Sequence, residues 1–227
     1  AFNRTLATAQ TQIDKMRKDL VSPETDAAAK EQLRTQINAR QDFLGRMSRL
    51  KIIAPVLTLD DGLTLVEGKR EIELRFLGTG HTDGDIILYL PAEKIVFLGD
   101  IFFNAALPNT QDAGMLEWMK TLGEVLKIDA DKFVPGHGPV GSKRDVEDFL
   151  SYFTELRALV GPAVTRGDSM EQTLHDIQIP AKFSSYSFQN FFPSNVQKMY
   201  VELRAQQLAS STAPDDSKKN NPEKPAP

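Results

Sequence analysis

The sequence predicts a layered α/β (α+β) domain with a mostly antiparallel sheet, flanking helices and an N-terminal helical hairpin. Three observations carry this. Residues 3–50 keep helical spacing of apolar side chains, and residues 52–98 switch to the period of a strand. After Asp100 helical spacing returns, broken by one short strand at Phe133–Val134.

In "LATAQTQIDKMRKDL", Leu6, Ile13, Met16 and Leu20 fall at helical intervals. The second arm starts at "SPETDAAAK", where Ser22 is the expected N-cap and Pro23 the first helical residue. Its apolar stripe, Leu33, Ile37, Leu44 and Met47, is narrow, so the hairpin should leave one face wet. "VLTLDDGLTLVEG" is expected to fold as two strands around Asp60-Asp61-Gly62. "REIELRFLG" sets Ile72, Leu74 and Phe76 against charged neighbours, the alternation of a strand with one wet face. "DIILYLP" and "KIVFLGD" are near-continuous apolar runs joined by a short turn, and Asp100 is expected to end the second. "DAGMLEWMKTLGEVLKI", a long segment from Lys143, "DSMEQTLHDIQI" and "PSNVQKMYVELRAQQL" read as helices. The expected organisation is a hairpin over 1–51, the α/β portion over 52–208 and a disordered tail over 209–227. The tail is rich in proline, serine, lysine and asparagine and holds too little apolar surface to offset its ordering entropy.

Composition narrows the function. A hydrophobic content of 41% and a charged content of 26% are ordinary for a globular chain. A net charge of −4 with no basic stripe argues against nucleic acid as a partner. No apolar run approaches the length of a membrane span, so no membrane partner is expected. With no cysteine, disulfides, thiolate zinc sites and a cysteine nucleophile are all excluded.

Two of the three histidines, His81 and His137, adjoin glycines where strand gives way to loop. Asp100 follows "KIVFLG", where an unpaired buried carboxylate would be costly, so it must meet water, a donor or a cation. Each feature alone also fits a turn, a cap or a solvated side chain. Together they suit a metal such as zinc, which accepts imidazole nitrogen and carboxylate oxygen. His175, inside a predicted helix, reads as a surface or packing residue.

"GTGHTDGDIILYLPAEKIVFLGDIFF" followed by "VPGHGP" resembles the C-terminal half of the metallo-β-lactamase-fold hydrolases. The resemblance covers about residues 55–160. It implies an αββα sandwich with two metal ions at one sheet edge, usually zinc, with other divalent metals possible. His81 would be a ligand of the first ion, Asp100 the carboxylate bridging both, and His137 a ligand of the second. The implied reaction is hydrolysis of an ester, thioester, lactone or lactam in a small-molecule substrate. The family's upstream His-x-His-x-Asp-His run is absent from this sequence. The chain is therefore expected to be the second half of such a protein, in agreement with its start at Ala1. Such a half would expose the inner face of its sheet, bind metal weakly and not catalyse by itself. Some β-lactamases of this fold carry cysteine at the position matching Asp100. Aspartate there favours the glyoxalase-II-like, lactonase-like and quinoprotein-relay-like branches. The last of these slightly favours a periplasmic or secreted location. The alternative is a metal-free member of the fold serving in assembly. Phe102 and Phe103, just after Asp100, either line the substrate pocket or plug the core. "YSFQNFFPSN" either covers the site or packs against the sandwich.

Overall fold

The computed structural model describes residues 2–51 and 53–212. Most of the tail expected to be disordered lies outside the described residues. Its first part is corrected: residues 209–212 continue the last helix.

The chain forms two compact units, residues 1–58 and residues 59–227. The first is the expected hairpin, α1 (Phe2–Val21) and α2 (Ala27–Met47). Its small core is Ile13, Met16 and Ile37, with Leu20, Leu33 and Leu44 packed around them. The expected cap at Ser22 is corrected. Residues 23–25 form a turn, Thr25 Oγ1 donates to the Asp19 carbonyl, and Asp26 caps α2 by accepting from Ala29 N at 2.7 Å. A carboxylate at that position also meets the positive end of the helix dipole, which Ser22 cannot do.

The second unit is built on a five-stranded sheet in chain order: β1 (Gly62–Glu67), β2 (Arg70–Arg75), β3 (Ile87–Leu90), β4 (Ile95–Phe103) and β5 (Lys132–His137). β1 to β4 run antiparallel, and β5 adds parallel to β4. The parallel step needs a crossover, supplied by α3 (Met115–Val125). The hairpin expected around Asp60-Asp61-Gly62 lies later. Glu67 pairs with Arg70, so the turn is Gly68-Lys69, a two-residue loop of the length short hairpins favour. Residues 56–59 form no strand.

One sheet face carries Ile87, Tyr89, Val96, Leu98 and Phe133, all buried. They share one core with Trp118 and Leu122 of α3, with Phe149, Phe153 and Leu156 of α4 (Lys143–Arg166), and with Val196 and Met199 of α6 (Phe192–Thr212). α5 (Met170–Asp176) places His175 on the surface beside Asp176, as expected.

The opposite face is also apolar. The strand register lines up Leu63, Leu74, Leu88, Phe97 and Val134 in one row across all the strands. Beside that row stand Leu65, Ile72, Leu90 and Ile95. None of these nine belongs to the buried core, and Leu65 and Phe97 are exposed, Phe97 by 41%. On β2 the polar residues Glu73 and Arg75 pair with Tyr89 and Ile87, on the helix side, so the apolar alternation points to the open side. A sheet with one wet face shows the reverse pattern.

Candidate metal centre

β4 does not end at Asp100 as expected but runs on to Phe103. Its pairing with β5 shifts register between Phe97 and Gly99 and again between Gly99 and Phe103, with Gly99 at φ 52°. Such an irregularity bends a strand and re-aims the side chains beside it, here Asp100. Gly136 of β5 lies flush against this bend, since a Cβ there would overlap Asp100 Oδ1. Only glycine lets β5 approach closely enough to bring His137 alongside. The two strand ends are tied by Asn104 N donating to the His137 carbonyl at 2.9 Å and Asn104 Nδ2 donating to the Pro139 carbonyl at 3.0 Å.

His81 sits on the loop between β2 and β3. Asp85 folds that loop by accepting from Thr82 N and Thr82 Oγ1, both at 2.8 Å. Thr121 of α3 anchors it by donating to the Thr79 carbonyl at 2.6 Å.

These elements bring all three predicted ligands together. His81 Nε2 lies 3.9 Å from Asp100 Oδ2, and His137 Nε2 lies 3.6 Å from Asp100 Oδ1. One carboxylate thus stands between two imidazoles, with a different oxygen toward each. Both separations are too long for a hydrogen bond. Zinc bonds to nitrogen and oxygen are about 2.0–2.2 Å, so two ligands at a tetrahedral angle stand about 3.4 Å apart. Both pairs approximate that spacing, so the donor set fits a metal at each pair. It does not complete either cage. Among the described residues no three histidine, cysteine, aspartate or glutamate side chains converge on one metal position. Each pair supplies two of the three or four protein ligands zinc normally takes.

Aromatic packing holds the imidazoles. Phe103 stacks on His137 with centroids 4.9 Å apart and lies 5.9 Å from His81. Trp118 stands edge-on to His81 at 5.8 Å, itself fixed by its Nε1 donating to the Ile101 carbonyl at 2.9 Å. His81 Nδ1 is buried and has no hydrogen-bond partner among the described residues. Packing, not an outer carboxylate or carbonyl, orients this ring.

A pocket of about 350 Å³ opens over the trio, lined also by Phe103, Asn109, Phe188, Asn190 and Phe191. Phe102, expected beside Phe103 in the pocket, is instead fully buried edge-on to Phe149 and is not among the lining residues. The aromatic segment near the C-terminus does cover the site. Phe188 stands perpendicular to His137 at 5.6 Å. Its φ of 61° is unusual for a bulky residue. Ser187 holds the segment in place through backbone hydrogen bonds with Ala105 and Leu107, both 2.9 Å. The density of aromatics in "YSFQNFFPSN" was the only sequence signal for this wall. Asn109 and Asn190 gave none.

A family profile of the metallo-beta-lactamase superfamily matches residues 13–137. The chain belongs to that superfamily. The metallo-beta-lactamase type 2 of Bacteroides fragilis is 33% identical over 92 residues, which is 38% of this chain and 37% of that protein. The 2,4-dinitroanisole O-demethylase subunit alpha of a Nocardioides species is 23% identical over 183 residues, 77% of this chain and 54% of that protein. Among solved structures, the metallo-beta-lactamase from Pontibacter korlensis is 30% identical, with a TM-score of 0.41 over 44% of this chain and 49% of that one. The matches thus span about a third to a half of the length of these relatives.

Proposed function

We propose that this chain supplies one half of a metal-dependent hydrolase site that cleaves an ester, thioester or lactone. The supporting observation is the Asp100 carboxylate set between His81 and His137, one oxygen facing each ring. Two zinc-type ions, when bound, would supply Lewis acidity and a water of lowered pKa. His81 and His137 would each hold one ion, and Asp100 would span both. Phe103 keeps the two imidazoles in their planes, while Phe188 and Phe191 limit water and bound the space a substrate enters. Asn109 and Asn190 also line the pocket, where their side-chain amides would orient polar substrate atoms.

The lactam reading rests on relatives matched over little more than a third of their length. Aspartate at position 100 and the absence of cysteine favour the ester, thioester and lactone branches instead. The remaining ligands and a cover for the open sheet face are supplied by protein outside the described residues or by another chain. The test is zinc titration and hydrolysis of a panel of esters, thioesters and lactones by the chain alone and by the whole gene product. Turnover by the whole product, lost in Asp100→Ala, supports the reading. Absence of metal and turnover in both favours the assembly module.

A further inference from the structure

Next to the metal-centre pocket lies a second cavity of about 440 Å³, between the 109–111 loop and α6. The two cavities share Asn109 and Phe191 and are therefore neighbours. Their chemistry differs. The first is bounded by aromatic rings and the candidate ligands. The second has a mostly apolar wall that includes Phe191 and Val201, with Gln111, Ser194, Gln197 and Lys198 among its lining residues.

Among the described residues, Lys198 is the one charged residue lining these two cavities apart from the candidate ligands. Its Nζ lies 3.8 Å from Glu202 Oε1, beyond hydrogen-bond reach. Glu202 is engaged elsewhere, accepting from the backbone N–H of Met115 and Leu116 at the start of α3, both at 3.0 Å. The ammonium thus keeps donor capacity for a ligand. It is also held near the second cavity by helical backbone, because α6 packs into the core through Val196 and Met199 on either side of it.

We propose that this second cavity is a specificity subsite for a carboxylate at the end of the substrate remote from the scissile bond, bound by Lys198 with the amides of Gln197 and Gln111. The substrate class is an ester, thioester or lactone carrying a second, anionic group. The subsite rests on the hydrolase reading for its role, but its binding of carboxylates stands apart from catalysis.

Two measurements separate these. First, the metal-free chain is titrated with glutarate while backbone amide NMR shifts are followed. Saturable shifts at Asn109, Gln111 and Gln197, weakened about tenfold in Lys198→Met and retained in Lys198→Arg, are expected. Equal binding by Lys198→Met, or no shifts at these amides, overturns the subsite. Second, the zinc-loaded whole gene product is given monomethyl esters of dicarboxylic acids from succinate to suberate, each against the uncharged methyl ester of matched length. The preference in kcat/KM for the charged member is expected to fall about tenfold in Lys198→Met. An unchanged preference contradicts the subsite's role in selectivity. Failure to cleave any ester sinks the hydrolase reading, while the glutarate titration still decides the subsite.

Discussion

Both faces of the five-stranded sheet carry apolar rows, and they are unequally finished. On the helix side, Ile87, Val96, Leu98 and Phe133 are essentially inaccessible beneath Trp118, Phe149 and Phe153. On the other side, Leu63, Leu74, Leu88, Phe97 and Val134 form a continuous row that nothing in the unit buries to that extent. The candidate metal centre sits at the rim of the same sheet and repeats the contrast. Aromatic rings back both imidazoles, while among the described residues each candidate position has two of the three or four donors zinc normally takes. The proposal of a half site accounts for both the open apolar face and the two-donor pairs with one complementary segment.

The largest expected effect separates the covered face from the open one. Trp118→Ala or Phe149→Ala should destabilise the unit by about 3–5 kcal/mol in urea denaturation, since both rings are essentially fully buried. Phe97→Lys, on the open face, should cost under about 1 kcal/mol in the chain alone and reduce its self-association, read by light scattering. If Phe97→Lys proves as damaging as Trp118→Ala, the open face is not open.

A second contrast lies within the site. Asp100→Ala removes a donor from both positions and should weaken zinc binding at least about a hundredfold by competitive titration. Phe103→Leu leaves every donor in place but removes the ring stacked on His137. It should weaken zinc binding by less, about tenfold, with Phe103→Tyr restoring most of the loss.

The smallest effect concerns the segment leading to the aromatic wall. Lys182 donates to Ser151 Oγ at 2.6 Å and lies 3.0 Å from Asp148 on α4. The hydrogen bond from Lys182 holds the Asp148 carboxyl below its ordinary value of 3.8. A carboxyl lowered in the folded state stabilises the fold above its unfolded pKa, and that contribution is lost as the pH falls through the folded value. Lys182→Met should therefore cost about 0.5 kcal/mol or less at neutral pH, because water screens this half-exposed pair. The difference from the unsubstituted chain should vanish in acid, as followed by thermal melts against pH.

What the sequence revealed follows from how local each signal was. The helices and strands were legible because their periods of apolar residues are local. His81, Asp100 and His137 were legible because each carries its own glycine-marked context. The turn at Gly68-Lys69 was missed because Asp60-Asp61-Gly62 is the stronger local turn pattern, and only pairing with β2 decides between them. Phe102 and Phe103 are adjacent on β4 and both buried, and only Phe103 also lines the pocket, a distinction that comes from strand direction and packing and not from residue type. Phe188 and Phe191 reach the metal centre from roughly fifty residues beyond His137, through backbone bonds between Ser187 and the 105–107 segment. No local rule foretells that contact.

The central claim is that this chain holds half of a two-metal hydrolase site. Its most direct test is the zinc content and affinity of the purified chain, measured by elemental analysis after dialysis. The account predicts little retained zinc, with what binds lost in Asp100→Ala, and no ester hydrolysis by the chain alone. Two zinc ions retained per monomeric chain, with turnover, would contradict it.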